Sequence, residues 1–156
     1  MTYEKWIGKA SKMGDELLNN GAKYDENESG AFIASERGDW GLWIDGGHVF
    51  SGDNNNSVAG LAKNLFELVK DAKRTTATAG RTGDGKKAVR LAFGDDPDFW
   101  PCVYPKLIKK FPGNAVFYAS GRHKPVLVCM EDKSVSHPIG IVMPIRYWTF
   151  EPDANC

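Results

Sequence analysis

Apolar residues recur at helical spacing in two parts of the chain. In residues 3–20 four of them follow steps of four, three and four, which place side chains on one face of an α-helix. These residues are Trp6, Ala10, Met13 and Leu17. Residues 57–74 carry a longer apolar stripe that begins after Ser57, whose hydroxyl suits a helix N-cap. The pattern therefore predicts two amphipathic helices.

Short runs of aromatic and β-branched residues predict strands elsewhere. A meander of two or three strands is expected in residues 31–52, and a half-buried strand in residues 89–93, where apolar and polar positions alternate. Three more strands are expected in the C-terminal part, at residues 115–119, 125–130 and 139–147. The elements together predict an α+β fold with two amphipathic helices packed on a mostly antiparallel sheet.

The predicted second helix is followed by a stretch rich in threonine and glycine. Residues 75–86 show no apolar periodicity, so we predict a mobile loop within a single domain spanning residues 1–156. Residues 80–87, which overlap the end of this stretch, begin like a phosphate-binding Walker loop but have Lys87 where that loop needs Ser or Thr to hold magnesium. No nucleotide or other cofactor is predicted.

Composition limits the classes of function. The chain has 20 basic and 20 acidic side chains and a formal net charge of zero, so attraction to nucleic acid requires local clustering. Its three widely spaced cysteines suggest reduced thiols in a cytoplasm. The N-terminal residues lack the apolar core of a signal peptide, and no apolar run reaches the roughly 18 residues of a membrane span, so neither export nor membrane insertion is expected.

Candidate catalytic and metal-binding residues are few. Cys129 and His137 lie on either side of a predicted hairpin link and suggest a small Cys/His hydrolase, although Cys129 sits in an apolar run that favours a core thiol. Acidic clusters at residues 25–28 and 95–98 offer oxygen ligands without following a calcium-loop pattern. No catalytic residues and no metal site are predicted.

Basic residues follow both predicted helices. Lys5, Lys9 and Lys12 step along the first helix by four and three, and a similar series follows the second. The members of that second series are Lys63, Lys70 and Arg74. Two such stripes are either solvated helix faces or a surface that contacts DNA phosphates, with salt-sensitive affinity that does not depend on base sequence.

The C-terminal strand pair contains a proline within an otherwise apolar strand. Lys124-Pro-Val-Leu-Val128 leads through a polar link to Ile141-Val-Met-Pro-Ile-Arg146. Proline removes a donor from a strand ladder and belongs at an edge or bulge, which makes this pattern more specific than apolar alternation. The pair resembles the end of a bacterial DNA sliding-clamp domain, where a proline-led apolar strand precedes a closing strand that ends in Met-Pro-Met-Arg.

The resemblance implies a clamp-like fold, with helices turned toward DNA, and a non-catalytic role in DNA replication or DNA processing. In clamps the closing strand borders a pocket that takes short peptide motifs of partner proteins. The matching residues here are Met143, Pro144, Ile145 and Arg146. Clamp subunits carry two or three such domains, so a ring built from this chain would be a homo-oligomer of many copies, which the zero net charge does not favour.

A solitary clamp-like domain that binds or blocks one partner is at least as plausible as a ring. Small standalone proteins of this kind are typical of phages and mobile elements. The second hypothesis is therefore a small inhibitor that binds a host protein without DNA. Its contact residues would be exposed aromatics, Trp40 and Trp43, or the acidic loops, because aromatics concentrate at interface centres.

Overall fold

The computed structural model describes residues 1–27, 30–45, 68–132 and 137–153. Within these ranges the chain forms helices α1 (Tyr3–Asn19) and α2 (Pro105–Ile108) and two 3₁₀ helices (Leu68–Asp71 and Pro97–Phe99). The strands are β1 (Lys23–Asn27), β2 (Gly30–Ala34), β3 (Trp40–Asp45), β4 (Lys73–Arg74), β5 (Thr76–Thr82), β6 (Lys87–Ala92), β7 (Cys102–Val103), β8 (Ala115–Ala119), β9 (Val126–Met130), β10 (Pro138–Val142) and β11 (Phe150–Pro152). No helix in these ranges is both long and apolar enough to cross a membrane.

The described strands form two sheets. The larger sheet has seven strands in the order β1-β2-β3-β10-β9-β8-β4, and the smaller has four in the order β11-β5-β6-β7. Neighbouring strands within the described ranges are antiparallel throughout. The predicted α+β class with mostly antiparallel sheet is therefore confirmed.

Helix α1 packs on β2 and β3 of the larger sheet. Its first turn is capped by the Thr2 hydroxyl, which accepts from the Lys5 N–H at 3.3 Å. The buried side steps by four residues throughout and consists of Trp6, Ala10, Gly14 and Leu18. The predicted members Met13 and Leu17 are only half-buried. The observed buried face therefore differs from the predicted one after Ala10. The reason is that the buried Gly14 has no apolar side chain that a hydrophobic pattern could detect.

The two faces of the larger sheet belong to different apolar clusters. On one face the sheet joins α1, α2 and the smaller sheet in the main core, with contributions from Ile33, Leu42, Val128, Leu91 and Leu107. On the opposite face a second cluster contains Phe32, Trp43 and Leu127, and Ala72 packs against it. Helix α1 and the segment just before β4 therefore contact opposite faces of the same sheet.

The last residues of the predicted second helix do not form an α-helix. Residues 57–67 lie outside the described ranges, and the residues that follow form a 3₁₀ helix and then β4. Arg74 pairs with Tyr118 of β8, and the Thr75 N–H donates to the Phe117 carbonyl at 2.9 Å. Pairing with a sheet edge thus replaces helical hydrogen bonds at residues whose side chains suit either structure.

The loop predicted at residues 75–86 is instead a strand and a tight turn. Strand β5 pairs with β6 on one side and β11 on the other, and the Gly85 N–H closes the turn by donating to the Thr82 carbonyl at 2.8 Å. Gly85 has a φ of +84°, which favours glycine. Alternating threonine and alanine suit a strand but carry too little apolar contrast to give a period-two pattern.

A close approach of backbones at Gly140 gives a test of this packing. A Cβ at that position would lie 2.4 Å from the Gly41 carbonyl oxygen and 2.6 Å from the Phe111 ring. We expect Gly140→Ala to lower the free energy of unfolding by about 2–3 kcal/mol, because neither backbone nor packed ring can move aside cheaply. Denaturant unfolding followed by circular dichroism measures the change.

Gly8→Ala is the matched control, since that glycine lies on the exposed side of α1 with no atom within 4 Å of the added Cβ. It should raise the free energy of unfolding by about 0.5–1 kcal/mol, because alanine favours the helix. Equal effects of the two changes would contradict the close packing of β10 on β3.

Candidate functional site

After β10 the chain crosses from the larger sheet to the smaller one. The Met143 N–H donates to the carbonyl of Asp39 in the β2–β3 turn at 2.9 Å, and the Ile145 N–H donates to the Cys102 carbonyl of β7 at 2.9 Å. Pro144 lies between them and has no N–H to donate. The strand predicted over residues 139–147 therefore ends with β10, and the remaining residues bridge the two sheets.

Tyr147 anchors the far end of this crossing. Its ring is buried with Ala88 and Cys102, and its hydroxyl donates to the Trp100 carbonyl at 2.7 Å. Burial, with a smaller contribution from the neighbouring Cys102 thiol, raises the pKa of Tyr147 to about 12. The phenol therefore remains neutral at physiological pH and acts as a hydrogen-bond donor.

Arg122, in the turn between β8 and β9, holds the same segment from the side. Its guanidinium lies 3.8 Å from the centre of the Tyr147 ring, a cation–π distance. One terminal nitrogen donates to the Tyr147 carbonyl and, at 3.4 Å, to the Trp148 carbonyl. The other donates to the Asp98 carbonyl at 3.3 Å. A single side chain thus connects three separate parts of the chain.

A concave pocket of about 850 Å³ opens along this segment. It is lined by Arg122, His123, Met143, Pro144, Ile145, Arg146, Tyr147 and Trp148. The side chain of Trp148 is 95% exposed at its rim. Two arginines and a histidine accompany the apolar lining, and no lining residue is acidic. The pocket therefore combines apolar surface with local positive charge on a chain that has no net charge.

The four residues matched to the clamp closing strand all line this pocket: Met143, Pro144, Ile145 and Arg146. Arg122, His123, Tyr147 and Trp148 were missing from the predicted site. The sequence offered only one indication of them, an arginine and a histidine in the short Gly-Arg-His-Lys turn before β9.

The five predicted DNA-facing residues that the structure describes lie in different parts of the fold. Lys5, Lys9 and Lys12 are exposed on α1. Lys70 is exposed in the first 3₁₀ helix, and Arg74 lies on β4 with its guanidinium 3.7 Å from the Glu131 carboxylate. Lys63 falls outside the described residues. Helix α1 and the segment before β4 contact opposite faces of the larger sheet. The described basic residues of the two series therefore do not form one continuous surface.

Trp40 and Trp43 are core residues, which corrects the prediction that they are exposed. Trp40 is 8% and Trp43 5% exposed, and the Trp43 indole N–H donates to the Asp45 carboxylate at 2.9 Å. Trp40 meets the Phe111 ring edge to face. The strongly exposed aromatic side chains in the described part of the chain are Phe93, Phe99 and Trp148.

Cys129 is unsuited to act as a nucleophile. It lies in β9, where all five residues are buried, and desolvation raises the pKa of its thiol to about 12. His137 immediately precedes Pro138, which pairs with Cys129 between β10 and β9. The Cys129 side chain is nevertheless fully buried and inaccessible to a substrate. Burial also raises the pKa of Cys102, to about 11. Neither thiol becomes an appreciable thiolate at neutral pH.

The remaining candidate motifs lie in a hairpin, in a bend with a 3₁₀ helix, and in strand β1. Residues 80–87 form the β5–β6 hairpin, where the Thr82 N–H donates to the Lys86 carbonyl at 3.0 Å, so the strand–loop–helix context of a Walker loop is absent there. Residues 95–98 form a bend and the start of the second 3₁₀ helix. Residues 25–27 belong to β1 and residue 28 lies outside the described ranges. Among the described residues no three His, Cys, Asp or Glu side chains are grouped as a metal site.

Thiol labelling tests the burial of these cysteines. In a Cys156→Ser background, iodoacetamide at pH 8 should modify Cys102 and Cys129 at least a hundredfold more slowly in the native protein than in denaturant. The native thiols are buried and neutral, while unfolding restores exposure and an ordinary pKa. Mass spectrometry follows each site. Rapid labelling of Cys129 in the native protein would show an accessible, reactive thiol and would support the Cys/His hydrolase hypothesis.

Comparison with known proteins gave no match. No family model, no curated protein and no solved structure matches the chain. A functional proposal therefore rests on the chain's own residues, on their arrangement and on the resemblance of the C-terminal strand pair to a sliding-clamp domain.

Proposed function

We propose that the protein is a non-catalytic, clamp-like binding protein that takes a short peptide segment of a DNA replication or DNA-processing partner in the pocket beside Met143–Trp148. One observation supports this proposal above others. Four residues selected from the sequence by resemblance alone line one pocket, together with an arginine that fixes its wall.

The dimensions and chemistry of the pocket suit a peptide. Ligand pockets of roughly 300–1,000 Å³ hold a few side chains, and this one has a volume of about 850 Å³. Met143, Pro144 and Ile145 are half-buried, so part of each apolar side chain remains available to a ligand. Apolar contact would supply affinity and the flanking cations would orient the segment.

DNA contact is the second part of the proposal and rests on α1. Lys5, Lys9 and Lys12 are exposed on that helix and can neutralise phosphates without reading bases. Lys70 and Arg74 lie in another part of the fold and are assigned no share in this contact. A ring around DNA would require several copies of the chain, so light scattering should show an oligomer if encirclement occurs.

The exposure of Trp148 favours a second function, inhibition of a host protein without DNA. An indole that is 95% exposed is unusual, and tryptophan is enriched among the residues that contribute most to binding at interface centres. This function would use the same pocket, not the buried Trp40 and Trp43. The two functions differ in the partner and in whether DNA accompanies it.

Affinity capture tests the pocket. Tagged wild-type protein should retain a replication or DNA-processing protein from native host extract, with or without nuclease. Met143→Asp should reduce retention at least tenfold, about 1.4 kcal/mol, because a carboxylate would enter an apolar lining. Phe93→Ser is the matched control, since that phenylalanine is exposed but does not line the pocket.

Retention that is insensitive to Met143→Asp would contradict the pocket as the binding site. A retained partner with no connection to DNA would replace the replication role with the inhibitor role.

DNA binding by α1 is tested by charge removal. The change of Lys5, Lys9 and Lys12 to Gln should weaken binding to duplex DNA and lower the slope of log affinity against log salt by about 0.9 per lost phosphate contact. Fluorescence anisotropy of a labelled duplex measures both. Changing Lys106, Lys109 and Lys110 to Gln removes the same charge from another exposed segment and serves as the control. Equal loss in the two variants would mean that α1 has no specific role.

A further inference from the structure

The five tryptophans divide sharply by exposure. Four of them, Trp6, Trp40, Trp43 and Trp100, are at most 8% exposed, whereas Trp148 is 95% exposed. An indole is large and largely apolar, so folding would normally cover it. Trp148 nevertheless follows directly on buried Tyr147, so its backbone belongs to a well-packed segment while its ring does not.

Arg122 accounts for that arrangement. Its guanidinium stacks on Tyr147 and donates to the carbonyls of Tyr147, Trp148 and Asp98. The planar fork of arginine suits several carbonyls and a ring at once, which an ammonium group cannot match. The backbone on both sides of the Tyr147–Trp148 peptide bond is therefore fixed by one side chain.

These contacts engage both terminal nitrogens of Arg122. Arg146 lines the same pocket and its side chain is exposed, so it can reach a ligand. The pocket thus contains two arginines in different situations, one engaged with the protein's own backbone and one open to solvent. His123 is exposed beside them.

We infer that Arg122 is a positioning residue that fixes the backbone of Trp148 so that its indole covers a bound peptide, while Arg146 binds an acidic group of that peptide. This inference rests on the proposed peptide-binding function. The occupant is a short segment of a partner protein with a carboxylate next to a large apolar side chain. The apolar side chain packs between Trp148 and the Met143–Ile145 wall.

Charge complementarity selects this occupant. The lining contains cations and no carboxylate, which favours an acidic ligand. Asp95, Asp96 and Asp98 are exposed on the loop that Arg122 contacts, and these would repel the repeated phosphates of a nucleic-acid strand crossing the pocket. A single carboxylate held at Arg146 meets less of that repulsion than a row of phosphates does.

The positioning role can be tested in the free protein. In protein labelled with 5-fluorotryptophan, the five residues give separate ¹⁹F signals, and Trp148→Phe identifies that of Trp148. Both Arg122→Ala and Arg122→Lys should increase the fast local motion of Trp148, measured by ¹⁹F relaxation, because lysine keeps the charge but loses the fork. Unchanged shifts of the other four signals verify the fold. A lysine variant that relaxes like wild type would overturn the positioning role.

The ligand chemistry is tested with an array of heptapeptides that contain one Asp or Glu beside Leu or Phe, and with their Asn or Gln counterparts. Replacing the acid should weaken binding to the wild type at least tenfold, and this penalty should disappear in Arg146→Gln but persist in Arg122→Lys. Arg122→Lys should instead weaken acidic and amide peptides by the same factor, about tenfold. Trp148→Ala should also weaken the binding of acidic and amide peptides by the same factor.

The outcomes separate the inference from the function on which it rests. If the acid penalty disappears in Arg122→Lys and persists in Arg146→Gln, the assignment of the two arginines is wrong although peptides bind. If no peptide binds to the wild type, the proposed function and the acidic occupant both fail, and the ¹⁹F result alone decides whether Arg122 positions Trp148.

Discussion

The crossing of the chain between the two sheets is the constraint on which the candidate site depends. Two hydrogen bonds, from Met143 to Asp39 and from Ile145 to Cys102, fix its ends to different sheets. Pro144 cannot donate, so the chain cannot continue as a regular strand there. The pocket wall is consequently a short, irregular segment held at both ends by backbone hydrogen bonds.

The apolar pattern was informative where apolar residues form a helical stripe or an uninterrupted run. It predicted α1 and the C-terminal strands β8 and β9, whose apolar runs are long. It failed at β5, because alternating threonine and alanine show little apolar contrast and the strand is defined by its partners β6 and β11. It also failed at Arg74, since pairing with Tyr118 is a contact between distant residues. The apolar pattern of a short segment contains no information about hydrogen bonds to strands that are distant in the sequence.

The candidate site was predictable in part for the same reason. Met143–Arg146 could be selected from a local motif, and those residues do line one pocket. Arg122 could not be, because its contacts reach 25 residues along the chain to Tyr147 and depend on a fold that a four-residue turn does not reveal. Trp40, Trp43 and Trp148 show the limit most clearly, since residue type alone does not separate a core indole from an exposed one.

Net neutrality conceals an uneven distribution of charge. Exposed lysines lie on α1, cations line the pocket, and Asp95, Asp96 and Asp98 follow the loop next to Arg122. Screening over about 8–10 Å at physiological salt means that a ligand responds to the nearest of these groups and not to their sum. A neutral chain can therefore attract phosphate at one surface and a carboxylate at another. If Arg146 binds one carboxylate as inferred, the aspartates of the neighbouring loop would disfavour a longer anion more than a single acidic group.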